Sequence, residues 1–459
     1  MRPLMVLGCT SDAGKSLVTT ALCRWFARQG VKVAPFKAQN MSNNARVVAN
    51  HNGIGEIGVA QWLQARAAGV EPDVRMNPVL LKPEADTESQ VVVRGVVDRA
   101  LTALPWNERH DALWAPMSES FDSLRDDFGL VVIEGAGSPA EINLRDQVNN
   151  RVIEHADAAG ILVSDIDRGG SFAHLYGTWA LVPESTRDRL AAFVLNRFRG
   201  DAALLEPGPS KLVDLTTMGF AGVLPMLRHD LPNEEGARDS SSAPVGAPRI
   251  VLPRLPYGSN LDEFHLLTHA ADVRWETRPN RFHGLDPDRD AIIIPGSKHV
   301  GADLDWLREQ GIDQAIAAAA RHGVRVVGVC GGAMMLGMTI TDEHGVEGDS
   351  VGTIDGLGML PVSTTMRPTK RTEQVEIEAY GRTYSGYEIR YGELTDDVRF
   401  AVDGNVVITT VHGLFEHPDF IEALLGVRVE PVLERTFELL ADAVDAHLDT
   451  ALLHTLVTP

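Results

Sequence analysis

"LMVLGCTSDAGKSLVTTALCRWF", residues 4–26, passes from a short apolar run through a glycine-bounded loop into a segment of helical spacing. Strand, loop and helix in that order aim the loop amides and the positive end of a helix at one point, which makes an anion site. Lys15 adds a mobile positive charge and Ser16 a hydroxyl suited to a magnesium ion. Gly8 and Gly14 bound the loop with five residues between them, where the common phosphate loop has four. Asp12, inside the loop, is a further oxygen donor. The expected occupant is a nucleoside triphosphate with Mg2+, and the expected fold is a parallel sheet wrapped by helices.

The rest of the chain continues that rhythm. Apolar runs at 4–7, 31–36, 130–134, 160–165, 191–196 and 220–225 alternate with helical spacing and make one sheet. Residues 228–248, "RHDLPNEEGARDSSSAPVGAP", interrupt it with charge, a serine triplet and prolines. A second set of runs follows at 249–252, 272–276, 290–296, 324–330 and 405–412. The reading is therefore α/β throughout: a first domain at 1–230, a linker at 231–248, a second domain at 249–440 and a C-terminal tail at 441–459.

Composition narrows the setting. A chain of 459 residues exceeds what one core usually organises. A formal net charge of −21 repels polyanions, so neither nucleic acid nor an anionic membrane surface is an expected partner. Three cysteines with no paired spacing suit a reducing compartment, and no run reaches the length of a membrane span, so the expected location is cytoplasmic. Oligomeric state is not written in these features.

Further acids and bases gather at strand ends of the first domain. "VIEGAGSPAEINLRD" (132–146) closes a strand with Glu134, a candidate magnesium ligand beside Ser16 and Asp12, although a lone strand-end glutamate is also an ordinary solvated charge. "SDIDRGG" (164–170) sets Asp165 and Asp167 beside Arg168. "KAQNMSNNA" (37–45), "NPVLLKP" (77–83) and "LNRFRGD" (195–201) contribute Lys37, Lys82, Arg197 and Arg199. In so acidic a protein, cations near a phosphate loop imply a second anionic ligand.

In the second domain "VVGVCGGAMMLG" (326–337) ends a strand on Cys330 and follows it with two glycines. A thiol that only packs a strand needs no glycine pair. A nucleophile at a strand-to-helix turn does, because the backbone must fold tightly and the amide of Gly331 must face an oxyanion. "ITTVHGLF" (408–415) offers His412 as its base, and "IIIPGSK" (292–298) offers the Gly296 or Ser297 amide as a further oxyanion donor. Together they describe a Cys-His hydrolytic site.

In this order "GCTSDAGKS", "KAQNMSNNA", "MNPVLLKP", "EGAGSPAEINLRD", "DIDRGG", "NRFRGD", "PGSK", "VCGG" and "VHGLF" resemble the cobyric acid synthase family, glutamine-dependent amidotransferases of cobalamin biosynthesis. The longer phosphate loop is similar to that of dethiobiotin synthetase. The resemblance implies a dethiobiotin-synthetase-like ATP domain and a class I (triad) glutamine amidotransferase-like domain. It also implies ATP-dependent amidation of the b, d, e and g carboxylates of adenosylcobyrinic acid a,c-diamide, with glutamine as nitrogen donor. By the same match Cys330 is the glutaminase nucleophile, His412 its base, and Asp146 lies on the corrinoid side.

The family's glutaminase lacks the usual triad acid two residues after the histidine; Leu414 stands there, consistent with a Cys-His dyad. Ala333-Met334 replaces the family's Tyr-Gln, and "GYEIR" (386–390) carries Arg390 in place of histidine. Two other readings share parts of the pattern: a cobyrinic acid a,c-diamide synthase, and a nucleotide-binding regulatory protein whose second domain is inert. "KAQNMSNN" argues against the first, and the presence of both Cys330 and His412 against the second.

Overall fold

The computed structural model describes residues 1–50, 53–85, 88–143, 148–234, 236–240, 243–347 and 351–458. Its first sheet contains β1 (Leu4–Gly8), β2 (Val33–Phe36), β3 (Leu130–Glu134), β4 (Ala159–Asp165), β5 (Leu190–Phe198) and β6 (Gly219–Pro225). They run parallel in the order β6-β5-β4-β1-β3-β2. β1, β3 and β4 are buried along their whole length, the reason for their unbroken apolar sequences. Because β1 has β3 on one side and β4 on the other, the carboxyl ends of all three open at a topological switch point. The phosphate loop, Glu134 and Asp165 therefore converge.

The second sheet is built from β7 (Arg249–Pro253), β8 (Asp272–Glu276), β9 (Ala291–Ile294), β10 (Arg325–Val329), β13 (Phe400–Asp403) and β14 (Val406–Thr409). β11 (Thr364–Ala379) and β12 (Arg382–Leu394) form a long hairpin outside it. The sheet order is β8-β7-β9-β10-β14-β13, with only edge strand β13 antiparallel. The turns after β9, β10 and β14, which carry Gly296, Cys330 and His412, thus lie side by side. The β11–β12 hairpin reaches the first domain: Lys370 Nζ lies 2.6 Å from Glu56 Oε1, and Gln374 Nε2 donates to Val47 O at 3.2 Å.

Two expectations about the domains need correction. Residues 441–459 are no loose tail: helices Leu433–His447 and Thr450–Val457 return to the first domain and pack against α1 (Lys15–Arg28). Phe437, Leu440, Val444, Leu453 and Val457 are buried in one core with Leu22 and Phe26, each apolar side chain contributing about 1.5–3 kcal/mol. Arg24 pairs with Glu438 at 2.5 Å and Trp25 Nε1 donates to Asp445 Oδ1 at 2.6 Å, so the polar face of the returning helix is fixed too. Nor is 231–248 a bare linker, since Glu234 turns into the nucleotide site and Ser240 Oγ donates to Ala271 O at 2.8 Å. No helix among the described residues is long and apolar enough to cross a membrane.

Candidate functional site

A cavity of about 1060 Å³ opens at the switch point of the first sheet, lined by the loop, Lys37, Glu134, Asn196 and Glu234. Gly14 caps α1 with φ 98°, and a Cβ there would lie 2.0 Å from Asn196 Nδ2, so both conformation and space demand glycine. Asn196 also donates to Ala13 O at 3.0 Å and ties the loop to β5. Lys15 is buried and folds back over the loop, its Nζ 3.4 Å from Thr10 O. Burial lowers its pKa, with Glu134 opposing that shift. A phosphate arriving here would meet a cation short of partners.

Ser16 Oγ donates to Glu134 Oε1 at 3.0 Å and lies 3.4 Å from Glu234 Oε1. Lys37 Nζ is 2.8 Å from Glu134, and Gln64 Nε2 donates to the other Glu134 oxygen at 2.6 Å. Burial opposes ionisation of Glu134, yet Lys37 holds its carboxyl below the usual range. Burial, aided by the Glu134 charge, pushes Glu234 up despite Lys37. Two carboxylates that compete around one hydroxyl form the hard-oxygen set a divalent cation takes, and they fit Mg2+. Among the described residues no three His, Cys, Asp or Glu groups cluster as a metal site. Such a cation would complete its shell from phosphate oxygens and water.

The other acids are differently engaged. Asp12, a candidate magnesium ligand in the sequence, lines the cavity and pairs with Arg168 at 2.5 Å and Arg197 at 2.9 Å. Asp165 meets the same two arginines at 3.2 and 2.9 Å, and Asp167 pairs with Arg199 at 3.3 Å. These carboxylates hold the guanidinium groups of Arg168, Arg197 and Arg199, and of these Asp12 and Arg197 line the cavity. Lys82 is not at the phosphate site: it pairs with Glu56 at the domain interface, beside Cys330. Asp146 lies outside the described residues. Glu234 was hidden in sequence because it stands in a polar, proline-rich stretch that reads as linker.

In the second domain Cys330 adopts φ 50° and ψ −106° between β10 and α2 (Gly331–Leu336). That unusual conformation holds a side chain at a sharp turn. A Cβ on Gly332 would lie 2.1 Å from Ile294 O and one on Gly331 2.7 Å from Ser297 N, so the glycine pair lets α2 start against the backbone after β9. A Cβ on Gly296 would meet His412 Cε1 at 2.9 Å. Gly296 thus makes room for the histidine, and Gly331 and Gly332 for the backbone that follows β9.

The expected dyad is corrected to a three-residue arrangement. His412 Nδ1 is 2.7 Å from Glu263 Oε1, and the other Glu263 oxygen accepts from Gly413 N at 3.0 Å. Leu414 occupies the position that triad enzymes give to the acid, and the carboxylate comes instead from the turn Leu261–His269, far away in sequence. No signal near "VHGLF" points to it. The Cys330 thiol is close enough to His412 to act on its charge. Burial opposes charge on the ring, but Cys330 and Glu263 outweigh it and push His412 up to about 10. The other thiols are buried and shifted upward by that burial, Cys9 to about 11.

Cys330 faces a cavity of about 40 Å³, lined also by Lys82, Met334, Lys370 and Arg390. Arg390 is buried and committed to Glu388 at 2.9 Å and Asp397 at 3.0 Å.

Similarity searches match both halves of the chain. Residues 4–232 match the CobQ/CobB/MinD/ParA nucleotide binding domain, and residues 249–420 the CobB/CobQ-like glutamine amidotransferase domain. The protein is 49% identical to cobyric acid synthase of Variovorax paradoxus (strain S110), over 99% of each chain. The chain belongs to the cobyric acid synthase family. Cobyric acid synthase of Albidiferax ferrireducens is likewise 49% identical over 99% of each chain, and that of Paracidovorax citrulli 48% identical over 98%. Membership of the cobyric acid synthase family makes the protein a glutamine-dependent ligase with a nucleotide-binding domain.

Proposed function

We propose that the protein amidates the b, d, e and g carboxylates of adenosylcobyrinic acid a,c-diamide, using ATP, Mg2+ and glutamine. The observation that carries this reading is the pairing of two complementary sites in one chain: a cation-bearing phosphate-loop cavity, and a Cys330–His412–Glu263 arrangement across the interface from it.

A carboxylate is a poor electrophile, so ATP first converts it to an acyl phosphate that ammonia attacks. Lys15 and Lys37 offset the phosphate charge as it shifts, and the loop amides hold the chain of phosphates in place. Mg2+, when bound by Ser16, Glu134 and Glu234, supplies Lewis-acid charge to the phosphates. Arg168 and Arg197 meet the anionic periphery of the second substrate, and Asp146 remains assigned to the corrinoid side. In the second domain the Cys330 thiolate attacks the glutamine side-chain carbonyl and forms a thioester. His412 gives its proton to the departing ammonia, then takes one from the water that hydrolyses the thioester. The Gly331 amide faces the oxyanion, with Gly296 or Ser297 as second donor.

Glu263→Gln is expected to lower glutaminase turnover roughly ten- to hundredfold. Without that charge the imidazolium is less favoured, so the His412 pKa falls from about 10 and the alkaline limb of the pH–rate profile moves toward neutrality. An unmoved limb would remove Glu263 from the arrangement.

Met334 lines the Cys330 cavity where the family places a glutamine. A hydrogen bond to a charged group is worth about 1.5–3 kcal/mol, so Met334→Gln is expected to lower KM for glutamine roughly ten- to hundredfold. Turnover with ammonia should stay near the parent value. An unchanged or higher KM would mean that Met334 only packs against Gly392, whose Cβ would lie 2.5 Å from its sulfur.

The reading is tested by mass spectrometry of the corrinoid after incubation with ATP, Mg2+ and glutamine. Amide formation at b, d, e and g of the a,c-diamide supports it. Amidation confined to the a and c positions of cobyrinic acid, or no amidation, contradicts it.

A further inference from the structure

We propose that Arg46, a residue of the nucleotide-binding domain, is the positioning residue of the glutaminase site, so that the catalytic arrangement is complete only when the two domains are docked. Arg46 sits on strand Ala45–Asn50, buried at the interface, and its guanidinium spreads over three groups of the second domain. It pairs with Asp262 and Glu416, and its Nη1 donates to the Tyr387 hydroxyl at 2.8 Å.

Each partner is one step from the chemistry. Asp262 is the immediate neighbour of Glu263, which holds His412 Nδ1. Tyr387 stacks on the His412 ring with centroids 5.5 Å apart and planes 23° apart. Its backbone exchanges two hydrogen bonds with His412, at 2.9 and 3.1 Å. Glu416 follows His412 by a single short turn. A planar fork with several donors can hold three such groups at once, whereas a lysine ammonium cannot.

The neighbours of Arg46 grip the same turn. Ala45 N donates to Asn260 Oδ1 at 2.9 Å, and Asn44 Oδ1 accepts from Leu261 N at 2.9 Å. Asn260 itself lies in the left-handed region at φ 54°, a conformation that costs energy and that the first domain's backbone helps to fix. The turn Asn260–Glu263 is thus shaped from outside its own domain. Asn44 also donates to Glu234 O, and Glu234 stands in the nucleotide cavity. Asn44 therefore touches both sites.

The inference rests on the glutaminase reading, and its test separates the two. Arg46→Lys keeps the buried charge and with it the fold, while Arg46→Met removes the charge. Displacing a catalytic group by about 1 Å costs on the order of a hundredfold. Both variants should accordingly lose glutaminase kcat, by roughly ten- to a hundredfold, with KM for glutamine within about twofold of the parent and ammonia-dependent amidation retained. In a Glu263→Gln background Arg46→Lys should add less than about twofold, because both changes act through the same imidazole. Full multiplication of the two losses would overturn the proposal, as would an unchanged kcat or a parallel loss of ammonia-dependent activity in both variants. No glutamine hydrolysis by the parent protein would remove the glutaminase reading itself, and the proposal with it.

Discussion

Cys330→Ser is expected to abolish glutamine-dependent amidation, by at least on the order of a thousandfold, while ammonia-dependent amidation continues near the parental rate. A serine hydroxyl keeps the shape of the turn at φ 50° but cannot share its proton with His412 as a thiol does, so no anionic nucleophile forms near neutral pH. No other thiol can substitute, since Cys9 and Cys23 lie buried in the first domain with their ionisation suppressed. The ammonia route survives because the phosphate loop and its cations sit on a different sheet. Both nitrogen sources are assayed on one preparation, and glutamine-dependent product at the parental rate would remove Cys330 as nucleophile.

Lys15→Ala is expected to stop amidation from either nitrogen source, with a loss on the order of a hundred- to a thousandfold. The ammonium of Lys15 is buried and, among the described residues, makes a long hydrogen bond to Thr10 O, so it is held ready for a phosphate rather than spent on the fold. Removing it leaves the transferred phosphoryl group without a cation supplied by the loop, and both routes need that transfer. Product formed from ammonia at an undiminished rate would place ATP elsewhere.

The contrast between these two variants follows from what the sequence made legible. Strands with continuous apolar sequence, such as Leu130–Glu134 and Arg325–Val329, are buried on both faces, and their boundaries can be read directly. The turns that follow them carry glycine, cysteine and histidine, so the sequence by itself singles out Gly14, Lys15, Glu134, Cys330 and His412 as candidates. β11 and β12 are less legible, because "TMRPTKRT" puts charge and a proline ahead of the alternating "EQVEIEA", and Lys370 and Gln374 are spent on the domain interface. Glu263 and Arg46 were invisible for a related reason. Each acts through contacts between segments about 150 or more residues apart, as in Glu263 with His412 and Arg46 with Asp262, and spacing along the chain carries no trace of such pairs. The returning helix Leu433–His447 shows clear amphipathic spacing, but periodicity says that a face is buried and not against what.

On the proposed function, nitrogen released from glutamine at Cys330 is delivered to a carboxylate activated at the phosphate loop of the same molecule. Its most direct test gives the protein glutamine labelled with heavy nitrogen in the side-chain amide, together with ATP, Mg2+ and the corrinoid a,c-diamide. Mass spectrometry of the product then reads where the label has gone. The account predicts the label in each newly formed amide, even in the presence of a modest excess of unlabelled ammonia. Newly formed amides that carry only unlabelled nitrogen, from a protein that still hydrolyses the labelled glutamine, would contradict it.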